Sequence, residues 1–246
     1  MKVYKADLHI HTLLSPCGSL DMSPGAIVKA AIAKKLDIIG ITDHNSTRQC
    51  RVVAGEAEKA GLTVYCGTEV TTKEEIHCLA FFENLEKLDE FQLFLDANLP
   101  DIKNDTGLFG YQVAVNHLEE IVYEEERLLI SAIGKSIDQV EKEVHRLGGI
   151  FIPAHVNRPK FSLISQLGFI PPDLKFDALE LTKQQDTESF LISCPYLKNA
   201  VIIRSSDAHH PDKIGESFTS LRMSDTSFRE FVIAVGNRDG REVIRQ

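Results

Sequence analysis

Two histidines near the start of the chain are spaced so that both can bind one metal ion. His9 and His11 stand in the segment DLHIH, within a run of residues typical of a β-strand. Successive side chains of a strand point to opposite faces, so residues two apart share a face. Imidazole nitrogens are common ligands of zinc and related ions. Alone, such a pair is a weak signal, because short motifs often match by chance.

Later strand-like runs lead to more side chains of the same chemical kind. Six further histidines and carboxylates come at or near the ends of such runs: His44, Glu69, His77, His155, Asp207 and His209. In a parallel α/β barrel the carboxyl ends of all strands open on one face, so residues far apart in sequence become neighbours there. The pattern therefore predicts a metal site at the carboxyl ends of the strands.

The segments that must position these residues alternate between strand and helix. VYKADLHI is followed by a helix that Ser23 and Pro24 open, then by the strand LDIIGIT, a helix and the strand LTVYCG. A capping box that begins at Ser136 predicts the start of a later helix. About seven such units favour a mostly parallel sheet closed into a barrel. The irregular segment 99–123 is expected to form a loop with short helices at the mouth of the site.

Length and composition indicate one domain over residues 1–246. The chain has 246 residues, 43% of them hydrophobic, which suffices for one barrel-sized core. No apolar run approaches the roughly 20 residues that span a bilayer, and the first residues lack the apolar stretch of a secretory signal. A cytoplasmic protein without membrane partners is expected, and the sequence leaves its oligomeric state open.

Cysteine usage and net charge narrow the possible functions further. The five cysteines are scattered without CxxC pairs, which speaks against a disulfide framework or a thiolate zinc finger. The formal net charge is −9, which would repel a phosphate backbone over most of the surface. We therefore expect no nonspecific binding of nucleic acid and a small phosphorylated molecule as the partner.

Taken in order, five segments resemble the polymerase and histidinol phosphatase (PHP) family of metallophosphoesterases: DLHIHT, ITDHN, GTE followed by IHCLAFF, IPAHVNRP, and SSDAHH. The resemblance covers nearly the whole chain. It implies a single PHP domain folded as a distorted (β/α)7 TIM-like barrel, with up to three divalent metal ions.

The resemblance also implies which residues bind each ion. The first ion would take His9, His11, Glu69 and Asp207; the second, Glu69 as a bridge with His77 and His155; the third, His44 and His209. Asp7 and Asp43 are expected to orient ligands or cap loops.

Cys17 is the departure from the family pattern. It stands eight residues after His9, where the family usually has a histidine or an aspartate. A thiolate favours softer ions over magnesium, so zinc, iron or manganese are the expected metals. Alternatively, Cys17 is a small loop residue and the third site is weak or lost.

The expected chemistry is hydrolysis of a phosphate ester by a hydroxide that bridges the ions. Paired ions roughly 3.5 to 4 Å apart stabilise both oxygens of an in-line displacement. The substrate would be a small phosphomonoester such as a nucleotide or histidinol phosphate, with short oligonucleotides also open. Two alternative hypotheses for the function are a metal-dependent amidohydrolase and a non-catalytic or accessory PHP domain.

Three residues are candidates for direct roles in the reaction. Arg158 follows His155 by three residues and could hold phosphate oxygens with its guanidinium fork, or form a surface salt bridge. Arg204 is a second candidate for the clamp, or a structural ion-pair partner. Asp207 or His209 could pass a proton to the leaving group.

Overall fold

The computed structural model describes residues 1–182 and 185–245, in which strands and helices alternate. The first half of the chain contains β1 (Lys2–Ile10), α1 (Pro24–Ala33), β2 (Ile38–Ile41), α2 (Cys50–Lys59), β3 (Thr63–Thr71), β4 (His77–Phe81) and α3 (Leu85–Asn98). The second half contains α4 (Thr106–Phe109), β5 (Val113–Val115), β6 (Ile121–Glu124), α5 (Ile137–Arg146), β7 (Ile150–Pro153), α6 (Leu163–Leu167), β8 (Leu179–Glu180), α7 (Thr187–Ser193), β9 (Ile202–Ile203), β10 (Thr219–Met223), α8 (Phe228–Val235) and β11 (Glu242–Ile244).

The main sheet has seven strands in the order β11, β10, β1, β2, β3, β4, β7. β1, β2 and β3 are parallel, whereas β4, β7, β10 and β11 pair with their neighbours in antiparallel fashion. The sheet is therefore mixed, which differs from the mostly parallel sheet that the alternation predicts. Only residues 72–76 connect β3 to β4, and so short a connection can join antiparallel strands but not parallel ones.

Single hydrogen bonds extend the curl of this sheet beyond β7. The amide of Asp177 donates to the carbonyl of Phe151, and the amide of Val156 donates to the carbonyl of Glu180, which places β8 beside β7. β8 pairs with β9 in parallel, and Ala208, after β9, forms a bridge with Ile10 of β1. The structure is thus an α/β fold with a curled sheet, compatible with a distorted TIM-like barrel.

Helix starts follow local chemistry that the sequence already displays. The Ser23 hydroxyl accepts from the Ala26 amide at the start of α1, with Pro24 at the first helical position. Ser136 and Gln139 form a full capping box at the start of α5. Both predicted starts are confirmed. Among the described residues, no helix has the length and apolar character that a membrane crossing requires.

The segment after α3 contains more regular structure than the sequence predicts. It holds the short helix α4 and also a hairpin of β5 and β6, which was not expected. Val113 and Val115 of β5 pack on Leu13, so the hairpin lies against the loop that follows β1. That loop carries Cys17.

An ion-pair network away from the predicted site ties α5 to the segment before β8. The ring of His145 lies between two carboxylates, with Nδ1 2.6 Å from Glu141 Oε1 and Nε2 2.9 Å from Asp177 Oδ2. The Asp177 carboxylate, helped by Glu141 and opposed by partial burial, raises the pKa of His145 above its ordinary value of 6.5.

We expect the substitution His145→Ala to lower the free energy of unfolding most at acidic pH. Since the pKa is higher in the folded state, the stabilisation is complete below pH 6.5 and is lost as pH rises through the folded-state pKa. Urea unfolding at about pH 6 and about pH 9 measures the difference. The exposed His117, replaced by alanine, is the control; an equal loss for His145→Ala at both pH values would contradict the prediction.

Candidate metal centre

The nine side chains predicted as metal ligands come together at one edge of the curled sheet. Three overlapping groups have ligand atoms within 4.8 Å of one another: His9, His11 and Glu69; His44, Glu69 and His77; and His11, Cys17, His44 and His209. His155 and Asp207 contact members of these groups through Glu69, His9 and His11.

His77 lies at a different end of its strand from the other candidate ligands. His77 is the first residue of β4, at its amino end. β4 runs antiparallel to β3, so its amino end lies at the edge where β3 ends. The reversal of β4 therefore brings His77 to the same place as the other ligands.

The Glu69 carboxylate lies at the centre of the cluster and is 1% exposed. Its two oxygens lie within 2.9 to 3.4 Å of ring nitrogens from five histidines: His9, His11, His44, His77 and His155. Burial by itself would raise the pKa of Glu69, but the surrounding imidazoles hold it well below its ordinary value. A permanent negative charge therefore lies among the five rings.

Contacts on the outer side of the first two rings decide which nitrogen carries the proton. His9 Nδ1 lies 3.0 Å from Glu180 Oε2, and a carboxylate only accepts, so Nδ1 donates its hydrogen there. His11 Nδ1 lies 3.0 Å from Ser15 Oγ, whose own hydrogen goes to Asp43 Oδ1 at 2.6 Å. Ser15 therefore accepts from His11. In the neutral rings, both Nε2 atoms then carry lone pairs directed at the centre.

These two Nε2 atoms are only 3.2 Å apart. Two lone pairs at that distance repel each other unless a positive charge lies between them. The pKa of His11 is raised to about 9 and that of His9 is raised well above its ordinary value, because Glu69, Asp207 and Glu180 outweigh the burial that opposes protonation. The site thus attracts either a proton or a metal cation, and the donor set of imidazoles and a carboxylate fits zinc, iron or manganese.

Unpartnered nitrogens add a second sign that the residues fit a metal. Among the described residues, His44 Nδ1 and His155 Nδ1 are buried without a hydrogen-bond partner. His44 Nδ1 is 3.1 Å from Glu69 Oε2, but not in hydrogen-bonding geometry. Buried polar atoms of this kind are costly, and coordination is one way to satisfy them.

The group around Cys17 also has the features of a ligand set. His209 Nε2 lies 3.1 Å from Cys17 Sγ, while Nδ1 donates to the carbonyl of Asp207. Burial lowers the pKa of His209 to about 4, which keeps the ring neutral. Burial and nearby carboxylates raise the pKa of Cys17 to about 12, so its thiolate would require a cation beside it.

Asp207 connects this cluster to Arg158. Asp207 Oδ1 lies 3.4 Å from the Nε2 atoms of His9 and His11, and Oδ2 accepts from Arg158 Nη1 at 2.7 Å. Arg158 is 45% exposed and lies at the mouth of a cavity of about 230 Å³ whose lining includes six of the nine candidate ligands. Arg204 instead donates to the carbonyls of Thr182 and Gln185, which is a structural role.

Asp7 and Asp43, which were predicted to orient ligands or cap loops, support the site by binding backbone amides and hydroxyl groups near the ligands. Asp7 accepts from the amides of Ser206 and Gly215, so it anchors the loop that carries Asp207 and His209. Burial raises the pKa of Asp7 to about 6. Asp43 binds Ser15 and Thr12 rather than an imidazole directly.

Three supporting residues were missed in the sequence. Besides Ser15, Glu180 accepts from His9 and also from the His155 amide at 3.0 Å. The ring of Phe161 stacks on that of His77 at 4.9 Å between centroids. A carboxylate inside the short apolar run DALEL was the available signal for Glu180, because buried charges in strands need partners.

Comparison with known proteins decides the family. The family model described as PHP domain matches residues 7–161, more than half of the chain. The chain belongs to the PHP domain family. The match contains seven of the nine candidate ligands, whereas Asp207 and His209 lie beyond it.

Two of the similar proteins are longer than this chain. The uncharacterised protein YqxK of Bacillus subtilis is 27% identical over 280 aligned residues, covering 99% of this chain and 65% of YqxK. Endonuclease Q of Pyrococcus furiosus has a similar fold, with a TM-score of 0.73, 22% identity, and coverage of 98% of this chain and 58% of that one. The chain thus spans less than two thirds of both proteins.

A third similar structure has nearly the same length as this chain. It is a proposed metal-dependent phosphoesterase from Bifidobacterium adolescentis, with a TM-score of 0.60 and 20% identity. The match covers 94% of this chain and 96% of the other. These likenesses establish the fold.

The expectation of no nonspecific nucleic-acid binding, which rested on the net charge, is contradicted by a similar structure. Endonuclease Q has been determined in complex with a 27-mer duplex substrate that carries an abasic lesion at the active site, and that structure has a TM-score of 0.72 to this chain. The sum of charges over a whole chain does not describe the potential at one cleft, where local groups dominate. The net charge of −9 therefore excludes no such partner.

We expect Glu180→Gln to weaken metal binding while the fold is retained. Glutamine can donate to His9 Nδ1 and so reverse the tautomer, and loss of such supporting carboxylates typically costs about 10-fold to 100-fold in metal affinity. Titration of the apoprotein with Zn²⁺ against a competing chelator measures this. Glu230→Gln is the matched control, because Glu230 is also buried and accepts from an amide, that of Ser224, away from the cluster. Equal affinities for all three proteins would contradict the prediction.

Proposed function

We propose that this chain is a metal-dependent phosphoesterase that uses two to three divalent ions, with zinc, iron or manganese as the metals. The observation that carries the proposal is the pair of Nε2 atoms of His9 and His11, 3.2 Å apart, whose rings have their Nδ1 hydrogens held by Glu180 and Ser15. Such a preorganised pair beside the buried Glu69 is built for a cation. We also propose that residues 1–246 form one PHP domain whose curled sheet closes into a distorted (β/α)7 barrel.

The proposed ligand sets are those that the family resemblance implies; they overlap the three groups of the cluster and add His155 and Asp207. His9, His11, Glu69 and Asp207 hold the first ion; Glu69, His77 and His155 hold the second; Cys17, His44 and His209 hold the third. When bound, such ions neutralise phosphate charge and lower the pKa of a coordinated water.

Arg158 is the proposed cationic clamp of the substrate phosphate. In the structure its guanidinium binds Asp207 Oδ2 and remains 45% exposed at the mouth of the cavity. If Asp207 held an ion, its carboxylate would bind Arg158 less strongly, and the guanidinium fork would be available to phosphate oxygens. Arg158 thus supplies charge and orientation from the solvent side.

Proton delivery to the leaving group fits water better than Asp207 or His209. Neighbouring histidines hold the pKa of Asp207 well below its ordinary value despite burial. Burial lowers the pKa of His209 to about 4. Near neutral pH Asp207 is therefore ionised and His209 is a neutral imidazole, so ligation is the role proposed for both.

A second candidate is cleavage of a phosphodiester in damaged DNA. The likeness to Endonuclease Q, whose complex places an abasic lesion at the active site, supports it. A phosphomonoester is mostly dianionic near neutral pH and a phosphodiester is monoanionic, but both present anionic non-bridging oxygens to the metal cluster, so one set of ligands serves either substrate. The size and polarity of the surrounding cavities then decide between them.

We expect purified protein to bind two to three transition ions per chain and to release phosphate or cleave a diester only while they are bound. Elemental analysis gives the metal content. An aryl phosphate, a panel of small phosphomonoesters and a duplex with one abasic site give the activity, before and after chelation. The substitution Glu69→Gln should abolish both metal and turnover, whereas Glu230→Gln should change neither.

Two results would overturn this proposal. Metal binding without cleavage of any ester would favour amide hydrolysis or an accessory domain. No metal after reconstitution would remove the mechanism altogether.

Cys17→Ser tests the third ion separately. We expect Co²⁺-loaded protein to show thiolate-to-metal charge-transfer absorption that Cys17→Ser removes, with one ion fewer bound at saturation, because serine is a poor ligand for soft ions. Cys194→Ser is the control, since Cys194 is also a free thiol and lies outside the cluster. An unchanged spectrum for Cys17→Ser would show that Cys17 is a loop residue that does not bind the metal.

A further inference from the structure

A second cavity adjoins the metal centre. Its volume is about 510 Å³, against about 230 Å³ for the cavity at the cluster itself. Arg158 and Asp207 line both cavities, so their ion pair lies at the boundary between them. His155 also lines the larger cavity. A substrate whose phosphorus lies at the cluster can therefore place its leaving group there.

The lining of this cavity combines apolar surface with several neutral hydrogen-bonding groups. Asn157, Thr182, Ser205 and Ser206 contribute amide or hydroxyl groups, and the described residues around it include no phenylalanine, tyrosine or tryptophan. Of its two carboxylates, Glu180 is already engaged by His9 and by the His155 amide, and Asp207 is paired with Arg158. The described residues around the cavity thus offer neither an aromatic platform nor an unpaired charge for an ionic leaving group.

Ser205 provides an independent sign of a missing partner. The residue is 8% exposed, and its Oγ has no hydrogen-bond partner among the described residues. An unsatisfied buried hydroxyl costs free energy and calls for an explanation such as a ligand. By contrast, Asn157 and Thr182 satisfy each other through two reciprocal hydrogen bonds. Among the described lining residues, Ser205 is therefore the one whose buried hydroxyl lacks a hydrogen-bond partner.

We infer that the larger cavity binds a neutral leaving group rich in hydroxyls, a sugar or polyol, and that Ser205 helps to recognise it. This inference rests on the proposed function, since it assumes that the phosphate lies at the metal cluster. A hydroxyl of the substrate would satisfy Ser205, whereas an alkyl chain of equal length would leave it unpaired. Sites built to bind a hydroxyl discriminate strongly against analogues that lack it.

The first experiment compares hydroxylated esters with alkyl esters of the same number of carbon atoms. The metal-loaded protein is assayed with glycerol 3-phosphate against propyl phosphate, and with ribose 5-phosphate against pentyl phosphate. We expect the hydroxylated ester of each pair to have the higher kcat/KM. The substitution Ser205→Ala should reduce that preference by about fivefold to tenfold, the range of one neutral hydrogen bond, mainly through KM.

Thr71→Val is the matched control. Thr71 also carries a buried hydroxyl without a partner among the described residues, but it does not line either cavity. Its removal should leave the preference unchanged. Equal kcat/KM values within both pairs, or an unchanged preference in Ser205→Ala, would overturn the inference while the phosphoesterase function stands. No turnover of any ester would instead count against the proposed function.

A binding measurement tests the cavity without catalysis. In saturation-transfer NMR, methyl riboside, which has no phosphate, should receive saturation from the wild-type protein and from Thr71→Val, but less from Ser205→Ala. Absence of transfer from the wild-type protein, or equal transfer from all three proteins, would overturn the inference.

Discussion

The structure depends on one buried negative charge. Glu69, at the end of a strand with both neighbours paired, contacts five imidazoles and is closed off from water. A carboxylate in such surroundings is stable only if positive charge or hydrogen bonds compensate it. Each surrounding strand end supplies a ring for that purpose, and the cluster is therefore both the centre of the electrostatics and the place where the strands must meet.

A second layer of contacts turns these rings into a defined ligand set. Glu180 and the Ser15 and Asp43 pair hold the outer nitrogens of His9 and His11, so the inner nitrogens stay available. The backbone contributes as well. His155 and Asp207 both have positive φ values, 31° and 53°, which non-glycine residues rarely adopt. Such strain persists where the surrounding structure enforces it, and it is common at functional sites.

The mixed sheet shows how topology and chemistry are matched. A purely parallel arrangement would have put the amino end of β4 at the opposite edge, far from Glu69. The short connection of residues 72–76 reverses β4, and His77 thereby reaches Glu69 Oε1 at 2.9 Å. Local arrangement also explains why the net charge gave a wrong expectation about nucleic-acid binding. The chain is acidic overall, yet the groups at the mouth of the site include Arg158.

Much of this protein can be derived from its sequence, because the relevant signals are local. Strand and helix periodicity, the caps at Ser23 and Ser136, and the order of histidines and carboxylates depend on residues close together in the chain, and they sufficed to indicate an α/β fold of the PHP family. The same signals singled out the nine candidate ligands that the fold brings together.

Only the tertiary structure decided the rest, since it depends on residues that meet across the fold. Glu180 contacts His9 over a separation of 171 residues, and the run DALEL alone does not predict that partner. The direction of β4 came from strand pairing rather than from composition. The cavity beside the cluster and the unpaired hydroxyl of Ser205 likewise exist only where separate strand ends converge, so no local pattern encodes them.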